Sequence, residues 1–253
     1  MRQQMITTAA LREPVRTYKL KRVFDLSVGV IALILMSPLI LLIGLLVAVF
    51  LGKPILFRQQ RPGLNGMLFT LFKFRTMKEF VGSNGKLMPD STRVTSFGRF
   101  LRSTSLDELP ELINVVRGEM SIVGPRPLLV HYLDRYSSFQ MRRHAVLPGI
   151  TGWAQVNGRN SVSWDQKFAM DVWYVDNQTL WLDLKIIALT IWAIAKRDGI
   201  DQPGVVGALE FMGNDSVETL PASGVTVSCD ANEPGVEGTA HVDGNPERTV
   251  ISR

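Results

Sequence analysis

The sequence holds one cysteine, Cys229, and three histidines among its 253 residues. A single thiol excludes a disulfide scaffold and every Cys-rich zinc site, and three scattered imidazoles make no His cage. Any metal is therefore expected on oxygen ligands. Charge is also missing locally: Leu26 to Gly52 is a run of 27 residues without one charged side chain. Acids are scarce before residue 201, where 26 bases face 14 acids, whereas residues 201–253 carry 9 acids and 2 bases. The basic part calls for an anionic partner. No nucleic-acid-binding motif accompanies the charge, which argues against nucleic acid, and the uncharged run points to lipid instead.

A cleavable signal peptide would place a shorter apolar core nearer Met1 and follow it with a small-residue cleavage site, so the apolar run is expected to remain in the mature protein. Residues 1–16 read as a flexible leader and 17–52 as a membrane helix. Twenty-seven helical residues reach about 40 Å, enough for a hydrocarbon core of about 30 Å. Ser37-Pro38 interrupts the run, because proline lacks a backbone donor and clashes with the preceding turn. Basic residues flank both ends, Lys19, Lys21 and Arg22 before it and Lys53, Arg58 and Arg61 after it. The positive-inside bias favours both ends on the cytoplasmic side. A kinked span and a re-entrant hairpin broken at Ser37-Pro38, with the Ser hydroxyl serving carbonyls freed by the proline, both remain open at this point.

Residues 53–200 read as a compact catalytic domain. Alternation around Pro62-Gly63 and Asn65-Gly66 predicts a β-hairpin over 54–77. Phe97 to Arg102, Glu111 to Val116, Pro127 to His144 and Ser163 to Tyr174 read as helices, with loops at 118–126 and 147–160. Leu180 to Lys196, with Trp181 and Trp192 near its ends, reads as an interfacial helix, with a buried core helix as the plainer alternative. Most of the acidic, Gly- and Pro-rich stretch 201–253 reads as disordered. The fold class expected is mainly α with one small β-hairpin.

The densest polar cluster is RSTSLDELPEL, Arg102 to Leu112. Ser105 three residues before Glu108 reads as a capping box, and Asp107 as an acid complementing a helix dipole. Arg102 one turn earlier and the Gly124-Pro125-Arg126-Pro127 loop change that balance, since Arg forks beside a helix N-terminus suit a diphosphate. Two adjacent carboxylates can divide the labour, one ligating Mg²⁺ and the other attacking phosphorus. Lys73 and Arg75 form a second basic cluster, expected with Arg159 to bind substrate phosphate and readable also as a headgroup-facing edge. The loop Pro148 to Arg159 carries Gln155, Asn157 and Arg159, and loops of that length are often functional.

KRVFDLSVGVIALILMSPLILL, FRQQRPGLNG, FKFRTM, RSTSLDELPELINVVRGEMSIVGPRPLL and LPGITGWAQVNGR, in this order, resemble the small monotopic bacterial phosphoglycosyl transferases, also called bacterial sugar transferases. The resemblance covers about residues 18 to 213, and within the family the chain most resembles the diacetylbacillosamine-phosphate transferases of bacterial protein N-glycosylation. It implies a cytoplasmic-face enzyme of the bacterial inner membrane that moves a sugar 1-phosphate from a UDP-sugar, acetamido or 6-deoxy-acetamido, to undecaprenyl phosphate and releases UMP. The route implied is ping-pong through a covalent phosphosugar on an aspartate. Carried over by position, the nucleophile falls on Asp107, the Mg²⁺ ligand on Glu108, and phosphate-binding arginines on Arg102 and Arg126. The Ser-Pro break falls on Ser37 and Pro38 and favours the re-entrant hairpin. Pro110 departs from the apolar residue of those relatives, at a helix start where proline is tolerated. An unmodified hexose donor is the rival within the class. A non-catalytic scaffold binding anionic lipid is the rival outside it, and it leaves the Asp-Glu pair and the GPRP loop without a purpose.

Overall fold

The computed structural model describes residues 17–80, 88–158, 162–196 and 210–213. Helix α1, Thr17–Phe50, is the long apolar element. By length and composition it is able to cross a membrane, with a mean hydropathy of 3.0 over its most apolar window and 11% of that window buried. The helix runs through Pro38 without interruption. Ser37 Oγ donates to Ile34 O at 2.8 Å, the carbonyl that the amide four residues on would take were residue 38 not proline.

After α1 the chain forms the expected hairpin, β1 Leu56–Pro62 and β2 Leu68–Phe74, antiparallel with Leu56 opposite Phe74 and Pro62 opposite Leu68. Its turn uses Asn65 and Gly66, both at positive φ. Short helices α2, Asp90–Arg93, and α3, Ser96–Ser103, lead to a 3-10 turn at Leu106–Glu108 and then to α4, Glu111–Arg117. Gly118 at φ 84 ends α4 in the left-handed conformation, which glycine adopts without a Cβ clash.

Beyond α4 the structure departs from the expected helix-and-loop pattern. The segments read as loops contain two three-residue strands, β3 Ser121–Val123 and β4 Gly149–Thr151, paired in parallel. The single helix expected from Pro127 to His144 is instead a 3-10 stretch Val130–Arg135, helix α5 Ser138–Met141, and a second 3-10 turn Arg142–Ala145. Tyr136 is extended, and Ser137 and Gln140 form a capping box that restarts the helix, so helical propensity here is spent on separate turns. Helix α6, Trp153–Asn157, follows β4 directly. Helices α7, Trp164–Asp176, and α8, Leu180–Lys196, agree with expectation.

Among the described residues, four small clusters hold these elements together. Ile43 and Val47 of α1, with Leu51 just after it, pack with Phe74 and Leu101, while Phe69, Leu71, Val115 and Met120 join the hairpin to α4. Val123, Tyr174 and Ile186 tie β3 to α7 and α8. Tyr132, Phe168 and Phe211 form an aromatic cluster into which residues 210–213 return. The rest of 201–253, like the leader, lies outside the described residues. In α8 only Asp183 and Ile186 are buried, and Trp181 and Trp192 are 79% and 60% exposed, so α8 is an apolar surface helix.

Polar ties fasten α1 at both ends. Lys21 is buried and donates to Asp183 at 2.6 Å, and Arg22 donates to Val115 O and Val116 O at 2.6 and 2.9 Å, where α4 leaves carbonyls without helical partners. At the other end Arg75 donates to Leu51 O and Lys53 O.

Candidate active site

The Leu-Asp-Glu-Leu segment sits where α3 stops and α4 starts. Leu106 and Leu109 pack against the α1–Phe74–Leu101 cluster, which turns the intervening acids toward β2 and the loop after β3. The capping box expected of Ser105 and Glu108 is absent. Ser105 stands at φ 55 in the left-handed region and makes no side-chain cap, because the turn is 3-10 rather than the first turn of an α-helix. The Glu108 carboxylate is used otherwise.

Glu108 Oε1 accepts from Lys73 Nζ at 2.8 Å and from the Arg126 guanidinium. The structure therefore brings Lys73, from β2, and Arg126, from the loop after β3, onto one oxygen. Burial acts to raise the Glu108 carboxyl, but Arg126 and Lys73 outweigh it and hold the group well below the usual carboxylate range. Lys73 Nζ also lies 3.0 Å from Glu111 Oε1, an ion pair without hydrogen-bond alignment. Burial and the charge of Glu108 push Glu111 up to about 7. Asp107 is different: it is buried, and among the described residues its carboxylate makes no hydrogen bond. Burial first, and then the charge of Glu108, push it up to about 6, against the pull of Lys73, Arg126 and Arg102.

Arg126 is placed by backbone that cannot shift. Gly124 N donates to Thr151 O at 2.9 Å and Gly149 N to Pro125 O at 3.1 Å. A Cβ on Gly124 would stand 2.3 Å from Leu147 O, and one on Gly149 would stand 2.1 Å from Gly124 N. Only glycine allows this approach. Arg143 then donates to Arg126 O at 2.7 Å and is itself paired, in a buried site, with Asp171 at 2.7 and 3.1 Å.

The other expected site residues are placed as follows. Arg102 Nε donates to Thr76 Oγ1 at 2.9 Å, and its charge acts on Asp107. Arg75 is at the C-terminal end of α1, where its guanidinium serves backbone carbonyls rather than the acids. Arg159 lies outside the described residues, and Ser37 and Pro38 are within α1. Two residues of the site were not singled out from sequence: Glu111 and Arg143. Glu111 had a readable signal, a third acid one turn after Glu108, whereas Arg143 reaches Arg126 only through tertiary packing.

Among the described residues no three His, Cys, Asp or Glu side chains form a cluster fit for a metal cage. A Mg²⁺ held by one carboxylate together with substrate phosphates needs no such cage. Glu108 suits that role: Oε1 is taken by two cations, while Oε2 makes no hydrogen bond among the described residues. Chemically, the arrangement offers a carboxylate without a bonded partner, beside a second carboxylate and two cations able to bind anionic oxygen.

Comparison with known proteins identifies the family. The family model for bacterial sugar transferase matches residues 16–197. The chain is 50% identical over 200 residues to the uncharacterized sugar transferase EpsL of Bacillus subtilis, covering 79% of this chain and 99% of that protein. It is 40% identical over 198 residues to the undecaprenyl-phosphate galactose phosphotransferase of Salmonella typhimurium, covering 71% of this chain and 41% of that protein. It is 42% identical over 185 residues to the UDP-glucose:undecaprenyl-phosphate glucose-1-phosphate transferase of Escherichia coli, covering 68% and 39%.

Proposed function

The chain belongs to the bacterial sugar transferase family, and on that premise we propose that it transfers a sugar 1-phosphate from a UDP-sugar to undecaprenyl phosphate, releasing UMP. The observation that carries the reading is the division between the two acids. Glu108 is neutralised by Lys73 and Arg126, while Asp107 stands beside it without a bonded partner among the described residues.

In the first step an oxygen of Asp107 attacks the sugar-bearing phosphorus. The bond from that phosphorus to the bridging oxygen breaks, and UMP leaves with the electron pair. In the second step a phosphate oxygen of undecaprenyl phosphate attacks the same phosphorus and the Asp107 carboxylate leaves. No proton needs to move, because nucleophiles and leaving groups are all anionic oxygens. The repulsion between them is what the site must reduce, and Lys73, Arg126 and Arg102 surround Asp107 with positive charge. Glu108 would hold Mg²⁺ through Oε2, where the ion supplies further charge neutralisation on the diphosphate.

The lipid acceptor gives the apolar surface its purpose, as α1 and α8 would keep the catalytic body at the cytoplasmic face of the inner membrane, with the acids near headgroup depth. The bonds from Arg22 and Arg75, one at each end of α1, support a re-entrant course, since both ends are fastened to the same catalytic body. For the donor, the motif resemblance favours an acetamido or 6-deoxy-acetamido sugar. Two relatives, named for galactose and for glucose transfer, favour an unmodified hexose.

The test is UMP release by the purified full chain with undecaprenyl phosphate, Mg²⁺ and a panel of UDP-sugars from both groups. Without acceptor, at most one UMP per site is expected, with the mass of one sugar phosphate added to the peptide containing Asp107. Normal turnover with acceptor and no adduct under acid quench would reject the covalent route.

A further inference from the structure

Arg61, near the end of β1, is an arginine without a counter-charge. One terminal nitrogen donates to Gln59 Oε1 at 2.6 Å, and its Nε is buried with no hydrogen-bond partner among the described residues. Among the described residues no carboxylate stands within ion-pair distance of it. The acids nearby are already taken, Glu108 by Lys73 and Arg126, and Glu111 by Lys73. Burial and then the adjacent charge of Arg126 depress the Arg61 guanidinium to about 10, only partly offset by Glu111. The neighbouring residue Pro62 lines a shallow depression together with Arg126, Pro127 and His144. The charge of Arg126 acts on Arg61, and a guanidinium with a buried donor left unpaired among the described residues costs stability unless an anion reaches it.

We infer that Arg61 is a phosphate-binding residue of this site, gripping with Arg126 a phosphoryl group of a substrate. A phosphate offers several acceptor oxygens to the planar donor fork of arginine, and its negative charge removes the repulsion between the two cations. The assignment rests on the transferase reading for the identity of the ligand, not for its charge. The phosphoryl group comes either from the nucleotide donor or from the lipid acceptor, and the two have separate readouts.

The full chain in detergent, wild type and Arg61→Gln, is titrated calorimetrically with UMP and with inorganic pyrophosphate, and KM is measured for the donor and for undecaprenyl phosphate. Loss of one charge-assisted contact is expected to weaken binding of one substrate by about tenfold or more. Weaker UMP and pyrophosphate binding with a raised donor KM assigns the contact to the donor, and a raised KM for undecaprenyl phosphate alone assigns it to the acceptor. Arg61→Lys, which keeps the charge and loses the fork, is expected to recover part of the affinity, a recovery that a purely structural role does not produce. Should Arg61→Gln fail to fold, the comparison of wild type with Arg61→Lys carries the test. Unchanged KM values and unchanged UMP and pyrophosphate affinity in a folded variant overturn the inference. If the wild type turns over no UDP-sugar, the transferase reading fails, while the pyrophosphate titration still decides whether Arg61 binds phosphate.

Discussion

Asp107→Asn is expected to abolish turnover and at the same time to stabilise the protein at neutral pH. The Asp107 carboxyl is buried and raised from 3.8 to about 6. A group raised in the folded state contributes stability that is fully present below its unfolded value, near 4, and is lost as pH rises through 6. Above that range the folded protein holds a carboxylate that the unfolded chain would solvate better. At about 1.4 kcal/mol per unit, a rise of roughly two units places the penalty on the order of 2–3 kcal/mol at pH 8. The neutral amide of Asn does not carry it. For a body of about 200 residues that corresponds to an increase in Tm of roughly 5–10 °C. The assay is thermal unfolding of the detergent-solubilised pair from pH 4 to 8 in EDTA, so that no cation offsets the charge. The two curves are expected to converge at pH 4 and separate with rising pH, Asn above Asp. Parallel curves, or an Asn variant less stable at pH 8 than at pH 4 relative to wild type, would refute the account of Asp107 as a strained, desolvated anion. Retained activity in the same variant would refute its role as nucleophile.

The same titration predicts that UMP release in the donor half-reaction falls about tenfold per pH unit below 6, as Asp107 takes up a proton, and a flat profile between pH 5 and 7 would contradict it. Glu108→Gln should lose most activity while remaining membrane-bound, and full turnover of the wild type in excess EDTA would remove Mg²⁺ from the scheme. Asp171→Asn leaves Arg143 buried without its anion and is expected to cost about 3–5 kcal/mol, read as a large fall in Tm, with Asp171→Leu combined with Arg143→Met recovering much of it. Cysteines placed singly at Lys19 and Lys53, with Cys229 replaced, should both be labelled from the cytoplasmic side, and periplasmic labelling at position 19 would reject the re-entrant course.

What the sequence exposed and what it hid divide along the range of the interactions. The hairpin was legible because alternation over Leu68, Thr70 and Phe72 and the turn pairs Pro62-Gly63 and Asn65-Gly66 are local signals. Lys73 was legible as a basic residue, but its reach to Glu108, 35 positions away, is a product of the fold. Ser105 and Glu108 have capping-box spacing and yet form none, since spacing reports a helix start only if the backbone of the first residue is extended, and Ser105 is left-handed. The parallel pair β3–β4 left no periodicity at all. Two three-residue strands separated by 25 residues pair because Gly124 and Gly149 allow their backbones to touch, and the glycines read only as loop residues until that contact exists.

Lys21 and Arg22 show the same limit, with a consequence for topology. In sequence they are flanking charges, of the kind whose bias sets orientation by staying in water. In the structure Lys21 is buried against Asp183 and Arg22 closes the carbonyl end of α4, so neither is a free charge. They hold α1 by direct bonds to the body that carries Asp107 and Glu108. Arg75 does the same at Leu51, and the stretch from Arg22 to Leu51 is about 44 Å of helix. A straight helix crossing the bilayer at right angles would put those two attachment points on opposite faces, and one of them would have to be given up. Keeping both requires that α1 bend or run along the interface. The place where it can bend at least cost is Ser37-Pro38, because the backbone bond is already absent there and Ser37 already satisfies Ile34 O.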